Sequence, residues 1–554
     1  MNRLERGYDS EKPGVPPAFV LASSSNSAED PNLLEAEETL HRGLKARHIS
    51  MIALGGAIAT QLLIGSGTAL SRGGPLSVLL GYSFAGLICY FVLSALGEMA
   101  AYLPHKKGLS GYASRFVDPA LGFALGWSYL LRYIIITASN LSAASKVIGY
   151  WDRPLTIRIT VWITVFIVLV PPVNLLGIRF FGEVEFWMSG IKVLALIGLI
   201  LFGLICDLGG NPRHDRVGFR YWNDPGVFSY YLEGGDFGRF LGVWNVITNA
   251  LFAYMGTELI GVTVGEVENP RKNVPSAIRR TFWRILIFYV GGVFVISLIV
   301  PSNNPKLYHF AEPFGYSDAS PFIIAAKNFA IRGLDHVINS AILFFLLSAA
   351  NSNLYVGSRT LYSLAAEGKA PAIFKRVNHR GVPYPALIFC TAFSCLAYLD
   401  GDPVRSGEVF HYFVSGVTFF GATTWMCIVY SHIRFMKALE VQSISRSSLP
   451  YRAPFQPYGS YFALAIMGII TFFRGFDTFS PWDDIRFITT YIGGPVFFVL
   501  WLGYKLMYRT RVIPPAEVDL VSGKQQIDEE EELYLAHQHG RGPRTRWQKI
   551  WDSL

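Results

Sequence analysis

A helix needs about 20 apolar residues to cross a hydrocarbon core of about 30 Å. This chain of 554 residues reads as a series of such runs, about twelve in all. They fall at residues 49–70, 76–101, 120–150, 157–176, 186–206, 241–265, 282–300, 336–365, 385–399, 410–435, 461–473 and 487–508, the ninth and eleventh being short. Only 16% of the residues are charged, against about 25% in soluble domains. The expected fold is an all-α polytopic membrane protein of about 12 transmembrane helices.

Charge placement sets the expected orientation. The net charge of +8 is not a nucleic-acid signal, because the basic residues sit in short loops between apolar runs. Arg42, Lys45, Lys106, Lys107, Arg179, Arg271, Lys272, Arg279, Arg280, Lys369, Lys375, Arg434 and Lys437 fall in alternate loops. That face is expected to be cytosolic, and both tails fall with it. The opposite loops, 207–240, 301–335 and 400–408, are mixed or acidic. The segments are therefore an N-terminal tail at 1–48, spans at 49–207, an outer loop at 208–240, spans at 241–435 and 436–508, and a C-terminal tail at 509–554. The tail after Tyr508, with its acidic run at 528–532, reads as solvated, a regulatory docking site being the competing reading. The plasma membrane is the expected location.

Two spans read badly as plain helices. The first carries Gly55, Gly56, Gly65 and Gly67 around Thr60, Gln61 and Ser66; the sixth carries Asn245, Thr248, Asn249, Gly256, Thr257 and Glu258. Irregular backbone at membrane depth is tolerated only where it lines a cavity or is buried in protein. If residues 49–207 and 241–435 are two repeats, these spans occupy corresponding positions, the best pointer to a midplane binding site. Small residues also permit plain close packing of helices, which is the competing explanation. Two ionisable residues stand inside spans, Lys192 in the fifth and Glu258 in the sixth, and such groups usually face the bundle interior. Glu98, Glu183 and Glu185 read as interfacial carboxylates. The five cysteines lie in or at the ends of apolar runs with no CxxC or Cys/His spacing, so no metal or cofactor is expected.

Several segments resemble the fungal amino acid permeases of the amino acid–polyamine–organocation superfamily. They are ISMIALGGAIATQLLIGSGTAL at 49–70, LGEMAAYLP at 96–104, GEVEFWMSGIKV at 182–193, GTELIGVTVGE at 256–266, GEVENPRKNVP at 265–275 and NSNLYVGSRTLYSLAAEGKAP at 351–371. The resemblance implies a five-plus-five inverted-repeat (LeuT-like) fold and alternating-access symport of an amino acid or related amine with a proton. It implies an unwound first span, Thr60 to Gly67, that receives the substrate carboxylate through Thr60, Gln61, Gly65, Ser66 and Gly67. The unwound sixth span, Phe252 to Glu258, would supply Phe252 as gate together with Tyr254, Gly256 and Glu258. Asn140 on the third span would also belong to the substrate site. Lys192, Glu258, Asn351 and Ser352 would serve coupling.

The sequence departs from the family pattern at two places. Ile58-Ala59-Thr60-Gln61-Leu62-Leu63 replaces the usual I-G-T-G-L-F, and Ala138-Ser139-Asn140 replaces a Pro-x-Glu. Loss of that third-span carboxylate argues against a cationic substrate. Two other function classes compete with a carrier. A non-transporting sensor would keep the same fold but is expected to carry longer tails. A membrane enzyme would need a nucleophile–base set, an HExxH or a phosphate loop, and none stands out.

Overall fold

The structure, a computed structural model, describes residues 51, 61–104, 108–151, 157–264, 269–307, 320–401, 406–524, 528–529 and 531–532. Among the described residues the one β pairing is an isolated bridge between Phe479 and Trp482. Eight helices are long and apolar enough to cross a membrane: Pro75–Tyr102, Pro119–Ile148, Ile178–Asp207, Arg271–Ile299, Leu334–Ala366, Tyr412–Val441, Tyr458–Thr478 and Asp484–Tyr508. Two shorter apolar stretches, Ile159–Leu175 and Tyr384–Asp400, take the places of the fourth and ninth expected spans. The first and sixth are the polar, interrupted ones.

Local chemistry starts these helices where the apolar runs begin. Asp118 accepts the Ala120 N–H at 2.9 Å and is followed by Pro119 at the first helical position. Asp483 caps Arg486 N–H at 2.9 Å in the same way. Each side chain satisfies one of the donors that a helix start leaves free. Gly74 makes the turn between spans one and two at φ +86°, with the Ser229 backbone so near that a Cβ would lie 2.6 Å from its nitrogen. Only glycine fits both demands.

Spans three and eight pack along most of their length and form the centre of the bundle. Burial separates this centre from the rim: the most apolar windows of spans three and eight are 67% buried, and that of the last span is 11% buried. Span five divides along its own length. Trp187, Ile191 and Leu194 are exposed, as a lipid-facing stripe would be, while Lys192 and Glu185 on the other side are buried.

The C-terminal segment corrects an expectation. Residues 509–524 are not a freely solvated tail, because Val518 and Leu520 are buried. Arg115 donates to the Asp519 and Ser522 carbonyls at 2.7 and 2.8 Å. Gln442 donates to the Val518 carbonyl at 2.7 Å. Arg271 pairs with Asp528 at 2.5 Å and Glu531 at 2.8 Å. The segment thus lies on the face of the basic loops, where its carbonyls and carboxylates meet Arg115 and Arg271. On the other face, Tyr231 donates to Asp477 at 3.1 Å and Leu76 N–H to the Val227 carbonyl at 3.0 Å.

Candidate substrate site between the interrupted spans

The first span departs from expectation. Gln61–Gly65 is a π-helical turn, and Ser66–Gly73 continues as α-helix. The unwinding expected over Thr60 to Gly67 is therefore absent from 61–67. Thr60 and the side chain of Gln61 lie outside the described residues. A wide turn absorbs the irregularity: Ser66 Oγ donates back to the Leu62 carbonyl at 2.6 Å, giving a bond inside the helix instead of a break. Ser66 and Gly67 are buried and Gly65 is half-buried. Single π turns often mark functional sites.

The sixth span is broken as its sequence suggests. One helix, Gly235–Tyr254, stops, and a short one, Leu259–Thr263, resumes. Gly256 sits between them at φ +110°, a conformation that favours glycine. Its N–H donates to Glu258 Oε2 at 2.8 Å, so the acid ties down the irregular backbone beside it. Thr257 Oγ1 donates to the Tyr254 carbonyl at 3.0 Å. Phe252, the expected gate, is half-buried one turn before the break. Tyr254 is spent on packing: its hydroxyl donates to the Tyr82 carbonyl at 2.8 Å, and its ring stacks on Tyr289 at 4.7 Å.

Glu258 is fully buried and fully engaged. Arg132 of span three forms an ion pair with its Oε1, and Trp425 of span ten donates to its Oε2 at 3.0 Å. The rings of Tyr133 and Tyr129 flank the guanidinium, with centroids 5.2 and 5.8 Å away. Arg132 was missed in the sequence. Its signal was a lone arginine in the apolar run LGWSYLLRYIIIT, as diagnostic as the two charges that were singled out. Asn140 lies further along the same helix and is buried.

A second polar cluster surrounds span five. Lys192 is 1% exposed and Glu185 wholly buried. They lie seven residues apart on one helix, so about two turns separate them on one face. Glu185 accepts from Ser189 and from Ser348 of span eight, each at 3.3 Å. It is therefore a bundle-interior acid, not the interfacial carboxylate expected. The error came from starting the span at 186, whereas the helix begins at Ile178. Ser352 stands one turn beyond Ser348. Asn351 Oδ1 accepts from Asn174 at 2.8 Å, which joins span eight to the segment before span five.

Two more buried pairs hold the frame. Glu98, also expected at an interface, is buried and accepts from Arg446 at 2.7 and 2.9 Å and from Ala453 N–H at 3.1 Å. Lys146 pairs with Asp400 at 2.6 Å. Among the described residues no group of three or more His, Cys, Asp or Glu is arranged to hold a metal ion.

Gly65 lines a cavity of about 170 Å³. The same helix contributes Thr68 and Arg72, and span six contributes Asn245, Thr248 and Asn249. The two interrupted spans thus share a polar space beside the π turn.

Comparison with known proteins places this architecture. The family model described as amino acid permease matches residues 48–513. The dicarboxylic amino acid permease of Saccharomyces cerevisiae is 46% identical over 520 residues, covering 92% of this chain and 85% of that protein. An uncharacterised amino-acid permease of Schizosaccharomyces pombe is 42% identical, covering 90% and 95%. The proline-specific permease of Emericella nidulans is 39% identical, covering 94% and 95%. These relatives are permeases, not enzymes, and the match runs through every span described above. The chain belongs to the amino acid permease family and is a multi-pass secondary transporter.

Proposed function

We propose that this protein takes up amino acids, acidic ones foremost, together with protons, by alternating access between the repeats 49–207 and 241–435. The observation that carries the substrate class is the Arg132–Glu258 pair. A carrier of basic amino acids needs a free carboxylate near the site. Here the acid at the break is already neutralised by Arg132 and held by Trp425 and Gly256 N–H. A dicarboxylic amino acid permease is among the relatives, at 46% identity, and a lysine-specific permease is also related, at 38%.

In this reading the substrate head group sits between the first-span turn and the sixth-span break. Thr60, Gln61 and Ser66 would supply polar groups on the first-span side; on the other side Gly256 turns the chain, its own N–H and carbonyl being held by Glu258 and the Leu259 N–H. Asn140 adds an amide, and Phe252 closes over the site. Glu258 contributes by fixing the shape of the break rather than by meeting the substrate ammonium. Lys192, with Glu185, Asn351 and Ser352 nearby, provides the proton-linked cluster. An ionisable group at this depth has its charge set by its access to water, which alternating access would change. The protein sits in the plasma membrane with both tails in the cytosol, as the basic loops and the docked C-terminal segment support.

The test is an uptake screen on the full-length protein, with labelled glutamate, aspartate, proline, alanine and lysine. Acidic substrates should be carried with the highest kcat/KM and lysine with the lowest. Preferential uptake of lysine would overturn the substrate class. Binding of amino acids without uptake of any would overturn transport in favour of a sensor.

A further inference from the structure

The cavity beside Gly65 has a chemistry that the central site does not use. Three arginines line it, Arg72, Arg474 and Arg486, against one carboxylate, Asp477. They come from separate elements: the end of the first-span helix, the residue after Tyr458–Phe473, and the helix Asp484–Tyr491. Arg486 is exposed and already pairs with Asp483 at 3.1 Å, so water and that acid meet its charge. Arg72 and Arg474 are different. Both are half-buried; among the described residues no carboxylate comes within 4 Å of either, although the charge of Asp477 reaches Arg474. Arg474 Nη1 donates to the Ser415 carbonyl at 2.7 Å. The Arg72 guanidinium lies 5.1 Å from the centre of the Tyr231 ring. Asp477 in turn accepts from the Tyr231 hydroxyl at 3.1 Å.

A concave, partly dry space with two guanidiniums and one carboxylate favours an anion. A guanidinium presents five donors in a planar fork that matches a carboxylate, and charge-assisted bonds of this kind are about twice as strong as neutral ones. Clefts of one sign also concentrate ligands of the other. The rest of the lining suits the polar body of an amino acid: Thr68, Asn245, Thr248 and Asn249 offer hydroxyls and amides. These span-six residues drew attention in the sequence but have no part at the break, which lies about 10 Å further along the helix from Thr248. The cavity also lies on the face opposite the basic loops and the docked C-terminal segment.

We propose that this cavity is an outer selection site in which Arg72 and Arg474 read the side-chain carboxylate of an acidic amino acid before it reaches the central site. The inference rests on the transport reading above and adds where acidic and neutral substrates are told apart. Asp477 tempers the site: its charge opposes that of the ligand and keeps the cavity from holding an acid too tightly to pass on.

The experiment compares labelled glutamate with labelled glutamine on the full-length protein in vesicles. Arg72→Gln and Arg474→Gln should each lower the glutamate-to-glutamine ratio of kcat/KM by about ten-fold, mainly through the KM for glutamate. Arg72→Lys and Arg474→Lys should keep most of that ratio. Asp477→Asn should move the ratio the other way, toward glutamate, which a folding defect cannot imitate. Proportional loss of both substrates in the arginine variants would overturn the proposal and make these residues part of a gate. So would a shift toward glutamine in Asp477→Asn. If the wild-type protein carries glutamine but neither glutamate nor aspartate, the substrate reading itself fails; if it carries glutamate and no variant moves the ratio, the outer site alone fails.

Discussion

Arg132 and Glu258 meet inside the bundle, with side chains 1% and 0% exposed, and so join the third span to the break in the sixth. Breaking a buried pair from one side leaves an uncompensated charge and typically costs about 3–5 kcal/mol. Arg132→Met and Glu258→Gln should each lower the melting temperature of the purified protein. The double variant should recover much of the loss, because neither charge is then stranded. Additive losses in a thermal melt would mean that the two residues act independently.

Lys192 should matter for coupling rather than stability. Lys192→Met removes the group that can gain and lose a proton but preserves a long apolar side chain. The variant should insert, fold and exchange internal for external substrate, yet fail to accumulate substrate against a gradient. Full accumulation driven by a pH gradient would remove Lys192 from the mechanism.

Glu185 lies on the same face two turns away and should belong to the same proton-linked unit. Glu185→Gln should weaken accumulation, and the Glu185→Gln/Lys192→Met pair should be no worse than Lys192→Met alone. A further loss in the pair, measured as accumulation ratio, would separate the two roles.

The docked C-terminal segment can be tested by charge reversal. Arg271→Glu breaks contacts to Asp528 and Glu531 that are partly open to water, so the expected loss is about 1 kcal/mol or less. Protease cleavage within residues 509–524 should become faster. Adding Asp528→Lys and Glu531→Lys should slow it again. Unchanged cleavage in Arg271→Glu would show that the Arg115 and Gln442 contacts hold the segment alone.

Much of this architecture was legible because lipid imposes a simple rule. Apolar runs near 20 residues located the spans, and glycine among polar residues located the irregular ones. The break at Gly256 could be read since glycine, threonine and glutamate stand together at depth. The π turn at Gln61–Gly65 could not, because the sequence gives no sign of whether a weak helix opens or merely widens. Pairing was the least legible part. Glu258 was found without Arg132, although a buried acid demands a partner, and the partner lay in view in span three. Glu98 and Glu185 were placed at the surface because their distance from the end of an apolar run was taken for their depth. The buried Val518 and Leu520 gave no periodic signal at all; their place in the hydrophobic core, with the Arg115 and Gln442 bonds to the neighbouring carbonyls, explains why that segment docks.

The central claim is uptake coupled to protons, and the most direct measurement is glutamate accumulation in vesicles holding the purified full-length protein under an imposed proton gradient. The account predicts that labelled glutamate rises inside above its outside concentration, that a protonophore abolishes the rise, and that Lys192→Met shows equilibration without accumulation. Accumulation that ignores the proton gradient, or binding of glutamate with no flux in either direction, would contradict it.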